Sequence, residues 1–147
     1  MSIARNRRAR HDYEILDKFE AGVVLKGTEV KSVRDGRVQL KDSYVEIRNG
    51  EAWLVGAHIA PYTHGNRQNH DPERPRKLLL HKREVDKIFG RTTMQGLTCV
   101  PLAVYLKKNL IKVEIALARG RKLYDKRQEK KKRQMQREVE EEMGRRG

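Results

Sequence analysis

Five histidines and one cysteine are the side chains best suited to chemistry near neutral pH: His11, His58, His64, His70, His81 and Cys99. A metal centre would need donors at recurrent spacing. His64 and the adjacent His70-Asp71 match no common zinc pattern, and one cysteine supplies no thiolate set. Cys99 lies inside the apolar pattern of residues 97–104 and reads as a buried structural thiol, not a nucleophile. A metal-independent nuclease would use His and Lys as general base and acid, but no pairing of the two is visible along the chain. The phosphate cradles Gly-x-x-x-x-Gly-Lys-Ser/Thr and Gly-x-Gly-x-x-Gly are missing. What the chain supplies in quantity is positive charge, 34 Lys and Arg against 20 Asp and Glu, for a net +14. The expectation is a binder of polyanions with no catalytic residue, metal or cofactor.

The charge is unevenly spread. Residues 1–12 hold four Arg against one Asp, and residues 120–147 hold eleven Lys and Arg against six Asp and Glu. Both flanks are more densely basic than the middle, which suits a nucleic acid whose condensed counterions are released on contact. A membrane-surface protein would need an amphipathic helix with a broad apolar face, and neither flank has one. Apolar runs are too short to span a bilayer. Residues 1–10 carry four Arg and no apolar stretch, which predicts no secretory signal. A single cysteine cannot form an internal disulfide and points to a reducing, cytoplasmic setting.

The elements that must position these charges follow from pattern. Residues 1–12 are polar, with nothing to anchor a core alone, and are expected as a basic N-terminal arm. Residues 13–25 predict a long strand bent near Gly22. Residues 27–36 predict a short helix capped by Thr28 and stopped at Gly36. Asn49-Gly50 between Tyr44-Val45-Glu46-Ile47-Arg48 and Glu51-Ala52-Trp53-Leu54-Val55 is a strong hairpin signal. Its two-residue register pairs Arg48 with Glu51, Ile47 with Ala52 and Val45 with Leu54. Residues 57–76 contain Pro61, Pro72 and Pro75 and predict a long loop. A helix over 82–90 follows the Leu78-Leu79-Leu80 run, and strands 98–106 and 110–117 turn near Lys107-Lys108-Asn109.

Five or six antiparallel strands with two short helices and no βαβ repeat describe a mainly β domain over residues 13–119. A small closed barrel of the oligonucleotide-binding (OB) type is the first choice and a β-sandwich the second. Residues 120–147 form a basic tail. No apolar residue occurs from 125 to 134, and Met135, Val139 and Met143 make a stripe too thin for a solitary helix. Composition and the Glu129/Arg133 spacing still favour helix. The tail is therefore expected to be disordered alone and helical on a polyanion, spanning roughly 30–40 Å there.

Among polyanions, DNA architecture would call for a recognition helix or an intercalating wedge, and both predicted helices are short. Single-strand binding would call for stacking aromatics, yet the chain has five Tyr, two Phe and one Trp, several within core patterns. Folded RNA recognised by shape and backbone fits better.

Five segments then stand out: Asn6-Arg7-Arg8-Ala9-Arg10-His11-Asp12-Tyr13, Phe19-Glu20-Ala21-Gly22, Gly27-Thr28-Glu29-Val30-Lys31-Ser32, residues 71–80 from Asp71-Pro72 to Leu79-Leu80, and Asp125-Lys126-Arg127. In this order they closely resemble the small protein B (SmpB) family, the SsrA-binding proteins of bacterial trans-translation. The distal tail is similar in composition only. The resemblance implies an OB-type barrel that binds the tRNA-like part of transfer-messenger RNA (tmRNA) and delivers the alanyl form, with elongation factor Tu, to stalled ribosomes. It implies RNA contacts at Glu20, Leu79 and His81, the last standing where some members have Asn. Arg7, Arg8, Arg10, His11, Arg76 and Lys77 are the basic RNA contacts expected beside them. Tyr124, a position that is His in some members, is expected with Asp125, Lys126 and Arg127 in the small-subunit decoding centre. Lys130, Lys131, Lys132 and Arg133 are expected in the empty message channel.

Overall fold

The computed structural model describes residues 2–62 and 68–121. Along them run β1 (Ser2–Arg5), α1 (Arg7–Asp12), β2 (Tyr13–Val23), α2 (Gly27–Arg34), β3 (Val38–Gln39) and β4 (Tyr44–Arg48). They are followed by β5 (Glu51–Val55), β6 (His58–Ile59), β7 (Arg76–Leu79), α3 (Lys82–Met94), β8 (Thr98–Lys107) and β9 (Leu110–Gly120). The protein is mainly β, as its patterning requires. One antiparallel sheet has the order β1-β8-β4-β5-β7-β2-β9, and β9 also pairs with β8, so the hydrogen-bonded neighbours form a ring. The short β3 and β6 pair separately. Among the described residues, no helix is long and apolar enough to cross a membrane.

Asn49-Gly50 sets its hairpin in the predicted register, with Val45 opposite Leu54, Ile47 opposite Ala52 and Arg48 opposite Glu51. Asn49 and Gly50 have φ of 50° and 77°, the doubly left-handed turn whose twist matches the strands. The charges at the tip choose other partners. Arg48 donates to Glu46 on its own strand at 2.9 Å, and Glu51 lies 3.6 Å from Lys77. The turn between β8 and β9 uses the same backbone at Lys108 and Asn109, with φ of 51° and 63°. Inward-facing Val45, Leu54, Leu78, Val113 and Ile115 meet Val33 of α2 and Ile88 of α3 in the main core. Cys99 joins them, and burial pushes its thiol up to about 12, which leaves it unreactive.

The irregularity expected at Gly22 lies instead at Leu16, where the β2–β9 register slips between Ile15 and Asp17. Gly22 serves close approach, because a Cβ there would stand 3.3 Å from the Cβ of Leu79. Helix α2 begins at Gly27, as predicted, and ends at Arg34, two residues short of the predicted Gly36 stop. Its N-cap is Lys26, whose amide donates to Glu29 at 2.8 Å, and not Thr28. The Thr28 hydroxyl instead bonds Nδ1 of His70 at 2.8 Å, while His70 Nε2 lies 2.9 Å from the Ile59 carbonyl. A carbonyl only accepts, so Nε2 carries the proton and His70 is committed to holding the 57–76 connection against α2. Helix α3 runs through Gly90 to Met94, because the left-handed stop is supplied later by Gly96, with φ of 65°.

Residues 2–12 are part of the body, not a free arm. β1 pairs with β8, and Ala9 of α1 packs in a second core with Val100, Leu102, Ala116 and Ala118. Asn6 is the hinge pin. Its side chain accepts from the Ala9 amide at 3.1 Å and donates to the carbonyls of Leu40 at 3.2 Å and Pro101 at 2.9 Å. Pro101 stands at a register break between β8 and β9, where a missing N–H is tolerated. Asn6→Ala removes a helix cap and strands two buried acceptors. It should cost about 2 kcal/mol, read as a lower urea midpoint with unchanged slope.

Candidate nucleic-acid interface

The interface begins with the two-residue period of β7. Arg76 and Leu78 point inward, while Lys77 and Leu79 point outward. Leu79 is therefore no core residue, although it sits in a Leu triplet: it is 53% exposed. It lies opposite Gly22 in the β2–β7 ladder, and the missing side chain lets it rest across that strand. Glu20, two residues back along β2, faces the same way. Glu20, Gly22, Leu79, Leu80, His81 and Lys112 line one groove of about 380 Å³. Glu20, Leu79 and His81 are thus brought together from three elements, with His81 as the N-cap of α3.

Glu20 is held in place. The Tyr105 hydroxyl donates to its Oε2 at 2.5 Å, and Lys107 Nζ lies 3.2 and 3.3 Å from its two oxygens. The Tyr105 bond first, and then Lys107, hold its carboxyl below the usual carboxylate range. Burial and the neighbouring carboxylate push the Tyr105 hydroxyl up, so it remains a donor at any physiological pH. Directly opposite Glu20 on β9 is Glu114, an unfavourable like-charge pair. Arg10 approaches Glu114 at 3.5 Å and relieves it.

A second groove of about 520 Å³ adjoins the first, lined by Ser2, Arg5, Arg7, Arg10, Tyr105 and Glu114. Arg7 and Arg10 share it because residues three apart lie on one helix face. Arg8 is parted from them: it pairs with Asp12 at 3.5 Å and lines a different cleft with Asp42 and Tyr44. His11 is exposed, its Nδ1 3.0 Å from Asp12. Lys77 shares the outer face of β7 with Leu79.

One expected contact fails. Arg76 is fully buried and cannot touch RNA directly. Its guanidinium donates to Glu29 at 2.7 Å, to the Ala57 carbonyl at 2.7 Å and to the Pro72 carbonyl at 3.0 Å. Arg74 also grips Glu29 through Nε and Nη2. This ion cluster locks the 57–76 connection onto α2, and the basic composition of 71–77 concealed that structural role. Tyr124, Asp125, Lys126, Arg127, Lys130, Lys131, Lys132 and Arg133 lie outside the described residues, as does His64. Among the described residues, no three His, Cys, Asp or Glu side chains are grouped to hold a metal ion.

Tyr105, Lys107 and Lys112 were not singled out by sequence reading. The two-residue turn at 108–109 does place Tyr105 opposite Lys112, but their meeting with Glu20 joins strands 85 residues apart. Because Leu79 is exposed, Leu79→Ala should change stability by under about 1 kcal/mol. A role for Leu79 in RNA contact would show as a clear fall in affinity for folded RNA, so paired melting and binding curves separate the two effects.

The chain matches the model of the family described as "SmpB protein" over residues 3–145. It is 60% identical over 138 residues to an SsrA-binding protein of Carboxydothermus hydrogenoformans, covering 94% of this chain and 93% of the relative. It is 56% identical over 137 residues to an SsrA-binding protein of Enterococcus faecalis, covering 93% and 89%. Its fold is similar to a solved chain described as "tmRNA-SmpB: a journey to the center of the bacterial ribosome". The TM-score is 0.68 and the identity 51%, over 81% of this chain and 84% of that one.

Proposed function

The chain belongs to the SmpB protein family, and on that premise we propose that it binds the tRNA-like domain of tmRNA and delivers it to stalled ribosomes for trans-translation. The observation that carries this reading is the convergence of Glu20, Leu79 and His81 in one groove beside the Arg7 and Arg10 face. An exposed leucine offers apolar contact to a base or ribose, and a carboxylate accepts from base amines or a 2′-hydroxyl. Arginines on the adjoining groove contact phosphates, which position the RNA without reading its sequence. In this reading the ring of strands is a closed OB-type barrel, and binding is the chain's whole contribution. Peptide chemistry belongs to the ribosome, and elongation factor Tu accompanies the alanyl-tmRNA in the cytoplasm.

The tail has a separate task. Tyr124, Asp125, Lys126 and Arg127 enter the decoding centre of the small subunit. Lys130, Lys131, Lys132 and Arg133 follow into the message channel, where the tail becomes helical. A message in that channel blocks the tail sterically, so entry reports a vacant channel.

Binding to a tRNA-like tmRNA fragment, to ordinary tRNA and to duplex DNA at two salt concentrations tests the proposal. Preference for the fragment that survives raised salt supports it. Equal affinities that collapse together with salt would leave only generic counterion-driven binding and overturn it.

A further inference from the structure

Glu20 sits where a carboxylate needs explaining, on a basic face and opposite a second glutamate. A free surface glutamate there would rotate among solvent-exposed rotamers and present its oxygens in no fixed direction. Glu20 does not, because two residues of β8 hold it, Tyr105 at Oε2 and Lys107 at both oxygens. Tyr105 also lines the arginine groove, while Glu20 lines the leucine groove. The Tyr105–Glu20 hydrogen bond is therefore the seam between the two. Resting on the RNA-binding reading above, we infer that Tyr105 is a positioning residue for RNA recognition: its hydroxyl aims the Glu20 carboxylate and joins the arginine groove to the Leu79 groove as one track.

The chemistry supports this division. A carboxylate has about four acceptor sites, so one bond from Tyr105 and a Lys107 contact leave sites for RNA donors. A charge-assisted O–H···O⁻ bond of 2.5 Å fixes direction better than the ammonium of Lys107, a mobile point charge. Holding the acceptor in its bound orientation beforehand lowers the ordering cost of association. The track then combines phosphate contacts from Arg5, Arg7 and Arg10 with one fixed acceptor and one apolar contact.

Tyr105→Phe keeps the ring and removes only the hydroxyl. Affinity of the full chain for the tRNA-like fragment should fall by roughly fivefold, the scale of one hydrogen bond. Its dependence on salt should not change, because no phosphate contact is lost. Arg7→Gln should lower the affinity and flatten the salt dependence. The deciding measurement is the double variant: with Glu20→Gln already present, Tyr105→Phe should cause almost no further loss. Independent, additive losses would overturn the positioning role, as would a Tyr105→Phe protein that binds like the parent. A thermal melt of each variant accompanies the binding curves, and a loss of affinity that tracked loss of folded protein would also overturn it. If the parent chain itself shows no preference for the fragment, the RNA-binding reading fails first.

Discussion

Glu29→Ala should be among the most damaging single changes in the body, costing about 3–5 kcal/mol, because it leaves buried cations without their counter-charge. Glu29 and Arg76 are both fully buried, and Arg74 is mostly so. The Glu29 carboxylate accepts from Arg74, from Arg76 and from the Lys26 amide that starts α2. Removing it uncaps the helix and frees the 57–76 connection at once. Chemical unfolding followed by circular dichroism would measure the loss. Adding Arg76→Met should recover part of it, since a buried site with neither charge is better than one with a lone guanidinium. Simple additivity of the two changes would show that the cluster is not acting as a unit.

The same carboxylate sets an acid limit. Burial alone would raise its pKa, but Arg74, the Lys26 amide and Arg76 together outweigh burial and hold it below the ordinary glutamate range. A depressed folded-state value means the unfolded chain binds the proton more readily. The stabilisation is then complete above the unfolded glutamate pKa of about 4.3 and is lost as pH falls through the folded value. Glu29→Ala should accordingly flatten the stability profile in that acidic window and leave its shape near neutrality unchanged.

Removing everything after Gly120 should leave the affinity for the tRNA-like fragment within about threefold of the full chain, the lost tail charge accounting for the residue. Rescue of stalled ribosomes in a reconstituted system should fall to background. The groove of Glu20, Leu79 and His81 and the arginine groove both lie in residues 2–114, so the truncated protein keeps every proposed body contact. The tail carries eleven Lys and Arg against six Asp and Glu, and that charge accounts for the small expected change. Truncation that destroyed tight RNA binding would instead make the tail part of the RNA site. Truncation that spared rescue would remove the message-channel role.

Much of this protein is written in local signals. Asn49-Gly50 dictated both the turn and the register of β4 on β5, because a type I′ turn admits one pairing. The alternating strands, the two helices behind the 27 and 82 positions and the burial of Cys99 follow from period and composition, which act over a few residues. The resemblance in five ordered segments was likewise legible, and it pointed to Glu20, Leu79 and His81, which the fold brings into one groove. Local pattern failed where a residue's partner is distant. Leu79 carries the signature of a core leucine, and only β7's position beside Gly22 turns it outward. Arg76 carries the signature of a surface phosphate contact, and only α2, brought against it by the fold, buries it on Glu29. Asn6 and Ala9 looked like part of a loose arm until β8 offered Leu102 and Pro101 to hold them. In each case the side chain's chemistry was fixed by its type, while its role depended on which strand the ring placed next to it.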